Sequence, residues 1–190
     1  MNRRKIFGIG FHKTGTTSLG KALDTLGYNH CHGAGPIRKA LGDQTMMKLL
    51  FDKKYDPILE FASKFDSCND NPWYLLYKEL DRKYPGSKFI LTTRNEEDWL
   101  DSVCHHFGNT ISPFRLWIYG KPDPIGNEEL YLSRYRKHNI EVREYFKNRP
   151  KDLLELDLTT DNKWESICNF LELEIPEENY PYLNSRDQRK

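Results

Sequence analysis

The sequence predicts an α/β fold in which strands and helices alternate along the chain. Five short apolar runs rich in β-branched and aromatic residues are separated by stretches with apolar residues at helical spacing, and no repeat or low-complexity linker interrupts them. Alternation of this kind builds a mostly parallel sheet, because each helix carries the chain back to the start of the next strand. We expect one domain over residues 1–190, a length sufficient for one core.

The elements follow from local patterns taken in chain order. The strand candidates are residues 5–11, 28–31, 65–69, 88–93 and 152–158. The first helix should bury Leu19, Ala22, Leu23 and Leu26 and stop at Gly27, a glycine suited to a left-handed cap. The later helices are marked by apolar stripes or by start signals, namely Met46, Met47, Leu50 and Phe51; Asp56-Pro57; Asn95 to Asp98; Tyr131, Tyr135, His138, Val142 and Tyr145; and Trp164, Ile167, Cys168 and Leu171.

The most informative stretch joins the first strand to the first helix and is called here the glycine loop (residues 11–19, FHKTGTTSL). Gly15 lets the backbone bend close to a ligand, and the first amides of the helix point outward without helical partners. The helix macrodipole adds partial positive charge at this end, and Lys13 adds a full charge. The loop therefore predicts a site for a multiply charged anion.

The order of residues in this loop differs from that of the common nucleotide-binding loop, G-x-x-x-x-G-K-[ST], because Lys13 precedes Gly15 by two residues. The stretch instead resembles the 5′-phosphosulfate loop of sulfotransferases, P-K-x-G-T-T, with His12 in place of the proline. The resemblance implies a P-loop-type three-layer sandwich with a central, mostly parallel five-stranded sheet flanked by helices. It also implies that the donor site includes His12, Lys13, Thr14, Gly15, Thr16, Thr17 and Ser18.

A second motif follows the fourth strand. Arg94 ends that strand, and Ser102 lies eight residues later on the helix that begins at Asn95. An arginine fork and a serine hydroxyl placed in this way can converge on one phosphate. The pair resembles the 3′-phosphate motif of sulfotransferases, with Trp99 between the two residues as in a compact family of small, cytosolic-type members.

A third candidate, Asp70, stands at the end of the third strand, where Pro72 suits the first helical position and Asn71 the N-cap. Open α/β sheets bind ligands at this carboxyl edge, where Lys13 and Arg94 also arrive. Many sulfotransferases carry a catalytic histidine or carboxylate at the matching place. We favour Asp70 as the catalytic base over a role limited to capping the helix or orienting Lys13.

Together these motifs predict transfer of a sulfuryl group from 3′-phosphoadenosine-5′-phosphosulfate to a hydroxyl or amine by in-line displacement. The catalytic candidates are Lys13 at the leaving oxygen, Asp70 as base, and Ser102, which with Arg94 binds the 3′-phosphate. No metal is expected, since a sulfuryl group carries less charge than a terminal phosphoryl group. The alternatives are a small-molecule or nucleotide kinase of the P-loop class and a non-catalytic nucleotide-binding protein.

Other candidates are weaker. His105, three residues after Ser102, is a second candidate base, whereas His138 lies in an apolar stripe and the ring of His12 is expected to be structural. Arg186 is a candidate for closing the donor site. The candidates for stacking on an acceptor are the aromatic residues Trp73, Trp99, Phe114, Trp117 and Tyr119. The aromatic segment 112–126 is either an acceptor-binding flap or an ordinary long loop.

Composition limits the class of protein. The formal net charge of +1 argues against nonspecific binding to nucleic acid or to an anionic membrane. The basic amino terminus leads into a short strand rather than a signal peptide, and no apolar run is long enough to span a bilayer. The four cysteines lack the spacing of zinc ligands. We expect a cytoplasmic enzyme acting on a small-molecule or carbohydrate acceptor, with an oligomeric state that the sequence does not indicate.

Overall fold

A computed structural model describes residues 4–157 and 162–183 of the chain. Within these residues, five parallel strands form one sheet in the order β2-β3-β1-β4-β5. The predicted α/β class is confirmed, and the sheet of the described residues is parallel throughout. The strands are β1 (Ile6–Gly8), β2 (His30–His32), β3 (Ser67–Asn69), β4 (Lys88–Thr93) and β5 (Leu153–Asp157).

Helices connect successive strands and cover both faces of the sheet. They are α1 (Thr16–Thr25), α2 (Gly35–Leu41), α3 (Asp43–Phe51), α4 (Asp56–Phe61), α5 (Tyr77–Lys83), α6 (Glu96–Phe107), α7 (Pro113–Tyr119), α8 (Glu128–Phe146) and α9 (Lys163–Leu171), with 3₁₀ turns at Ala62–Lys64 and Trp73–Leu76. Among the described residues, no helix combines the length and the apolar character that crossing a bilayer requires.

The three central strands β1, β3 and β4 bury both of their faces, as the covered part of a parallel sheet requires. On one face Phe7, Phe89 and Leu91 belong to a large core built with helices α3 to α8. On the other face Ile6 and Ile90 pack in a smaller cluster with α1 and α9. The first helix ends as predicted, because Gly27 has a φ of 75° and its amide donates to the carbonyl of Asp24.

Two glycines of the first strand region allow close packing at the edge where the loops meet. A Cβ added at Gly10 would lie 1.9 Å from Oγ1 of Thr92 and 2.4 Å from the carbonyl oxygen of Thr92. A Cβ added at Gly8 would lie 2.6 Å from Cβ of Asn69. Both positions exclude any side chain, and this brings the chain entering the glycine loop against β3 and β4.

Several local predictions are wrong. Phe51, predicted to be part of a buried stripe, is 48% exposed because it is the last residue of α3 and turns away from Met46, Met47 and Leu50. The predicted N-cap at Asn71 and helix start at Pro72 are also wrong. Asp70 has a φ of 65°, and its carbonyl accepts a hydrogen bond of 2.8 Å from the amide of Trp73, so a tight turn and then a 3₁₀ turn precede α5.

Segment 112–126 contains helix α7, which the sequence did not predict. Phe114, Ile118 and Tyr119 of this helix are part of the large core. Arg115, only 7% exposed, donates from Nε to the carbonyl of Pro122 at 2.8 Å and from Nη2 to the carbonyl of Thr110, which secures both ends of the segment. These contacts favour a packed part of the fold over a flap.

Candidate active site

The glycine loop forms an anion site from its own backbone. Lys13 and Gly15 both adopt left-handed conformations, with φ values of 68° and 90°, and α1 begins at Thr16. The first helical hydrogen bond runs from the amide of Leu19 to the carbonyl of Gly15 at 3.0 Å. Within the described residues, the amides of residues 15–18 donate to no backbone carbonyl. These four donors and the positive end of the α1 dipole suit a phosphate or a sulfate.

The loop is fastened to the sheet by Thr14. Its hydroxyl donates to the carbonyl of Phe11 at 2.6 Å and shares a hydrogen bond of 2.6 Å with Oγ1 of Thr92 on β4. The residue is 2% exposed. Thr14 is among the residues expected at the donor site, but its hydroxyl holds the loop in place and faces inward.

His12 also helps to hold the glycine loop in place. Its ring lies between two phenols, with Nδ1 3.0 Å from the hydroxyl of Tyr74 and Nε2 2.9 Å from the hydroxyl of Tyr119. Burial lowers the pKa of His12 to about 4, so the ring is neutral at pH 7. The carbonyl of His12 accepts a hydrogen bond of 2.9 Å from Nε1 of Trp99 on α6. These contacts are of the kind that the structural role expected for this ring requires.

Ser18 contacts the carboxyl-terminal segment. Its hydroxyl oxygen accepts a hydrogen bond of 3.0 Å from the amide of Leu183, and the hydroxyl lies 3.5 Å from the carbonyl of the same residue. The end of the described chain therefore lies against the first turn of α1. Arg186, the candidate for closing the donor site, lies outside the described residues.

Arg94 follows β4, the strand adjacent to β1, so it stands at the same edge of the sheet as the glycine loop. Its main chain is held by Tyr135 of α8, whose hydroxyl accepts from the amide of Arg94 at 3.0 Å and donates to its carbonyl at 2.9 Å. The ring of Tyr135 stacks on Trp99, with ring centroids 4.3 Å apart. The Nε of Arg94 is buried and has no hydrogen-bond partner in the described part of the chain. A buried guanidinium nitrogen in this state suits an anionic ligand.

Ser102 lies on α6, the helix that follows Arg94. Asn95 caps the helix by accepting from the amides of Glu97 and Asp98 at 2.9 and 3.2 Å, and the helix starts where the sequence predicted. Ser102 follows Trp99 by three residues, so it shares the helix face that contacts the carbonyl of His12. His105, one further turn along, is exposed near the end of the helix.

Asp70 is joined to the glycine loop by a side-chain contact. Its Oδ2 accepts a hydrogen bond of 3.0 Å from the hydroxyl of Thr16, and its Oδ1 accepts one of 2.7 Å from the amide of Asn71. The Nε2 of His32 lies 3.6 Å from Oδ2, and 18% of the Asp70 side chain is exposed. The structure thus brings Asp70 to the glycine loop, at the sheet edge where the sequence placed it.

The sequence reasoning did not identify Asn69, which precedes Asp70 on β3. Its Nδ2 donates to the carbonyl of Thr16 at 2.7 Å, and its Oδ1 lies 2.7 Å from Nδ1 of His32 and 3.1 Å from Nε2 of His30. The register of β2 and β3 pairs His32 with Asn69. The only sequence signal was a run of polar residues at the ends of two strands.

Other predicted residues lie in the core. Trp73 and Trp99 are fully buried, and Phe114 and Tyr119 are each 5% exposed, so these four aromatic side chains are not placed to stack on an acceptor. Trp117 is half-buried and donates from Nε1 to the carbonyl of Leu50 at 3.1 Å. His138 is also a packing residue, because its Nε2 donates to the carbonyl of Ile9 at 2.7 Å. No group of three or more histidine, cysteine or acidic side chains among the described residues forms a metal site.

The described fold is a parallel α/β sheet covered by helices, with a glycine loop suited to an anion and an arginine after the neighbouring strand whose Nε is buried. A family model described as "Sulfotransferase domain" matches two overlapping segments of the chain, residues 5–127 and 114–189, and the chain therefore belongs to the sulfotransferase family. It is also similar to the protein named "Ava biosynthesis cluster protein M" from Aspergillus versicolor. The two are 28% identical over 224 residues, which cover 96% of this chain and 82% of the relative.

Proposed function

We propose that this protein transfers the sulfuryl group of 3′-phosphoadenosine-5′-phosphosulfate to the hydroxyl or amine of a small-molecule or carbohydrate acceptor. The observation that carries the proposal is the pairing of two anion sites at one edge of the sheet. The glycine loop offers four amides to the 5′-phosphosulfate, and Arg94 offers its buried Nε to a second phosphate. The hydrogen bond between Thr14 and Thr92 ties the two sites together through β4.

Each residue has a distinct role in the proposed reaction. The amides of residues 15–18 hold the 5′-phosphosulfate, and Lys13 neutralises charge on the oxygen that leaves with the 5′-phosphate. Arg94 and Ser102 bind the 3′-phosphate, which distinguishes this donor from ordinary adenine nucleotides. Asp70 takes the proton of the acceptor.

The hydrogen bond from Thr16 supports this role for Asp70. Thr16 begins the helix whose amides hold the donor, and its hydroxyl fixes one carboxylate oxygen of Asp70. An acceptor hydroxyl that reaches this carboxylate is therefore close to the group that it attacks, which is the arrangement that in-line displacement requires. The name of the relative, a biosynthesis cluster protein, is consistent with a small-molecule acceptor.

The test measures transfer of labelled sulfate from the donor to a panel of phenols, alcohols, amines and sugars. Release of labelled sulfate by reaction of the donor with water is measured in the same experiment. Asp70→Asn should lower the transfer rate by about 100-fold or more while it leaves binding of 3′-phosphoadenosine-5′-phosphate intact. Asp43→Asn, at an exposed aspartate paired with Arg38, is the matched control and should retain the parental rate. Tight donor binding with no transfer to any acceptor or to water would identify a non-catalytic nucleotide-binding protein instead.

A further inference from the structure

The side chain of His32 forms a polar cluster with Asn69 and Asp70. In the reaction proposed above, Asp70 has a role but His32 and Asn69 do not. His32 ends β2, and its side chain is 42% exposed, so the ring touches both solvent and the edge of the candidate active site. Its Nδ1 lies 2.7 Å from Oδ1 of Asn69, and its Nε2 lies 3.6 Å from Oδ2 of Asp70.

The hydrogen-bond directions in this cluster fix the tautomer of His32. The carbonyl of Thr16 can only accept, so the nitrogen of the Asn69 side chain must be the atom that faces it at 2.7 Å. The remaining Oδ1 of Asn69 is an acceptor, so Nδ1 of His32 must carry a proton. A neutral His32 therefore has an unprotonated Nε2, and this lone pair is on the side of Asp70.

His30 supports the same orientation of Asn69. Its Nε2 lies 3.1 Å from Oδ1 of Asn69, and its Nδ1 lies 2.6 Å from the hydroxyl of Ser67. Burial lowers the pKa of His30 to about 4, so the ring is neutral and donates only from Nε2 to the asparagine. The serine hydroxyl then donates to Nδ1. Every donor in the cluster has an acceptor, and Nε2 of His32 is the ring nitrogen left to receive a proton.

Nε2 of His32 and Oδ2 of Asp70 are thus two proton acceptors 3.6 Å apart, and a small rotation of the partly exposed His32 ring brings them within hydrogen-bond distance once one of them carries a proton. Both carboxylate oxygens of Asp70 already accept hydrogen bonds, from Thr16 and from Asn71. A proton that stays on Asp70 weakens both contacts, because a neutral carboxyl group is a poorer acceptor than a carboxylate. A proton that moves to His32 leaves them intact and produces an imidazolium beside a carboxylate.

We propose that His32 is a second catalytic residue, which receives from Asp70 the proton that the acceptor loses. The inference rests on the proposed function. As the acceptor oxygen or nitrogen forms its bond to sulfur, the bond between sulfur and the 5′-phosphate oxygen breaks, and that oxygen leaves with the electron pair. The acceptor proton passes to Asp70 and then to Nε2 of His32, whose exposed edge releases it to water.

Two substitutions separate this role from a structural one. In His32→Asn the amide nitrogen replaces Nδ1, so the hydrogen bond to Asn69 is kept while the proton-accepting Nε2 is lost. We expect the transfer rate at saturating donor to fall by about 100-fold. His106→Gln, at an exposed histidine of α6, is the matched control and should keep the parental rate. A parental rate in His32→Asn would overturn the proposal.

The double variant Asp70→Asn/His32→Asn tests whether the two residues act as one unit. Its transfer rate should be no lower than that of the slower single variant, because either substitution interrupts the same proton path. Losses that multiply would contradict a shared path. Rates are measured with the best acceptor of the panel, or with water if no panel member reacts.

Calorimetry with 3′-phosphoadenosine-5′-phosphate on each protein distinguishes a failure of the proposed function from a failure of the role proposed for His32. A parent protein that does not bind this nucleotide refutes the proposed function itself. If the parent binds it and transfers sulfate, while His32→Asn binds equally well and transfers at the parental rate, only the role of His32 is refuted. Donor binding without any transfer by the parent also removes the catalytic role of His32.

Discussion

The hydroxyl of Thr16 donates a hydrogen bond of 3.0 Å to Oδ2 of Asp70, and it joins the first residue of α1 to the turn after β3. The two residues are 54 positions apart in sequence and meet because β1 and β3 are neighbours in the sheet. Thr16 also contributes one of the four backbone amides of the glycine loop that donate to no backbone carbonyl within the described residues. This contact therefore fixes the distance between the donor site and the proposed base.

Removing this hydroxyl should impair turnover more than donor binding. We expect Thr16→Val to lower the transfer rate by about 10-fold, equivalent to about 1.4 kcal/mol, because Asp70 loses one of its two hydrogen bonds. The backbone amide is unchanged, so the affinity for 3′-phosphoadenosine-5′-phosphate should change little. Steady-state kinetics and calorimetry provide the two readings. Thr16→Ser keeps the hydroxyl and serves as control, and a large loss of nucleotide affinity in Thr16→Val alone would mean that the hydroxyl binds the donor.

Gly10 should tolerate no side chain. A Cβ at this position would overlap both the hydroxyl and the backbone of Thr92, so Gly10→Ala must displace β4 or the chain that leads into the glycine loop. We expect a loss of about 3 kcal/mol in the free energy of unfolding, measured with urea. Gly35→Ala is the matched control, since no atom lies within 4 Å of the added Cβ. Equal stability of the two variants would show that the packing of β1 on β4 is looser than described.

Acid should destabilise the fold through His138. Burial lowers its pKa from 6.5 to about 3, and the ring is only 1% exposed. Since the unfolded chain binds the proton more readily, this contribution to stability is complete above about pH 6.5 and is lost as the pH falls toward 3. Between pH 6.5 and 5 the loss is about 2 kcal/mol.

Comparison of the parent with His138→Gln isolates this contribution. The glutamine amide can still donate to the carbonyl of Ile9 but does not titrate. Urea unfolding at pH 6.5 and pH 5 should therefore show a smaller loss of stability in the variant than in the parent. The same pH dependence in both proteins would contradict the assignment of a buried, neutral imidazole.

Much of the fold was predictable from the sequence, because strands and amphipathic helices are set by local patterns. The five strand candidates overlap the five observed strands, and the start of α6 was predicted from residues 95–98 themselves. Helix α7 was missed because it lacks a regular apolar period and buries Arg115 against carbonyl groups on both sides of it. Such contacts depend on the tertiary structure, which a local pattern does not contain.

The candidate site was predictable only in part, for the same reason. The glycine loop and Arg94 are recognisable as short motifs. The cluster of His32, Asn69 and Asp70 depends on the register of β2 and β3, whose paired residues are 37 positions apart. A histidine followed by an ordinary turn gives no sign of this partner. The inward orientation of the Thr14 hydroxyl is likewise decided by Thr92, far along the chain.

The central claim is that Arg94 and the glycine loop together bind a nucleotide with a 3′-phosphate. Calorimetry tests it most directly, with 3′-phosphoadenosine-5′-phosphate compared with adenosine 5′-phosphate and with ATP plus magnesium. We predict metal-free preference for the first nucleotide, and a loss of about 30-fold or more in Arg94→Ala, equivalent to about 2 kcal/mol. Arg82→Ala, at an exposed arginine paired with Glu79, should bind like the parent. Preference for ATP with magnesium, or equal affinity for nucleotides with and without the 3′-phosphate, would contradict the account and favour a kinase.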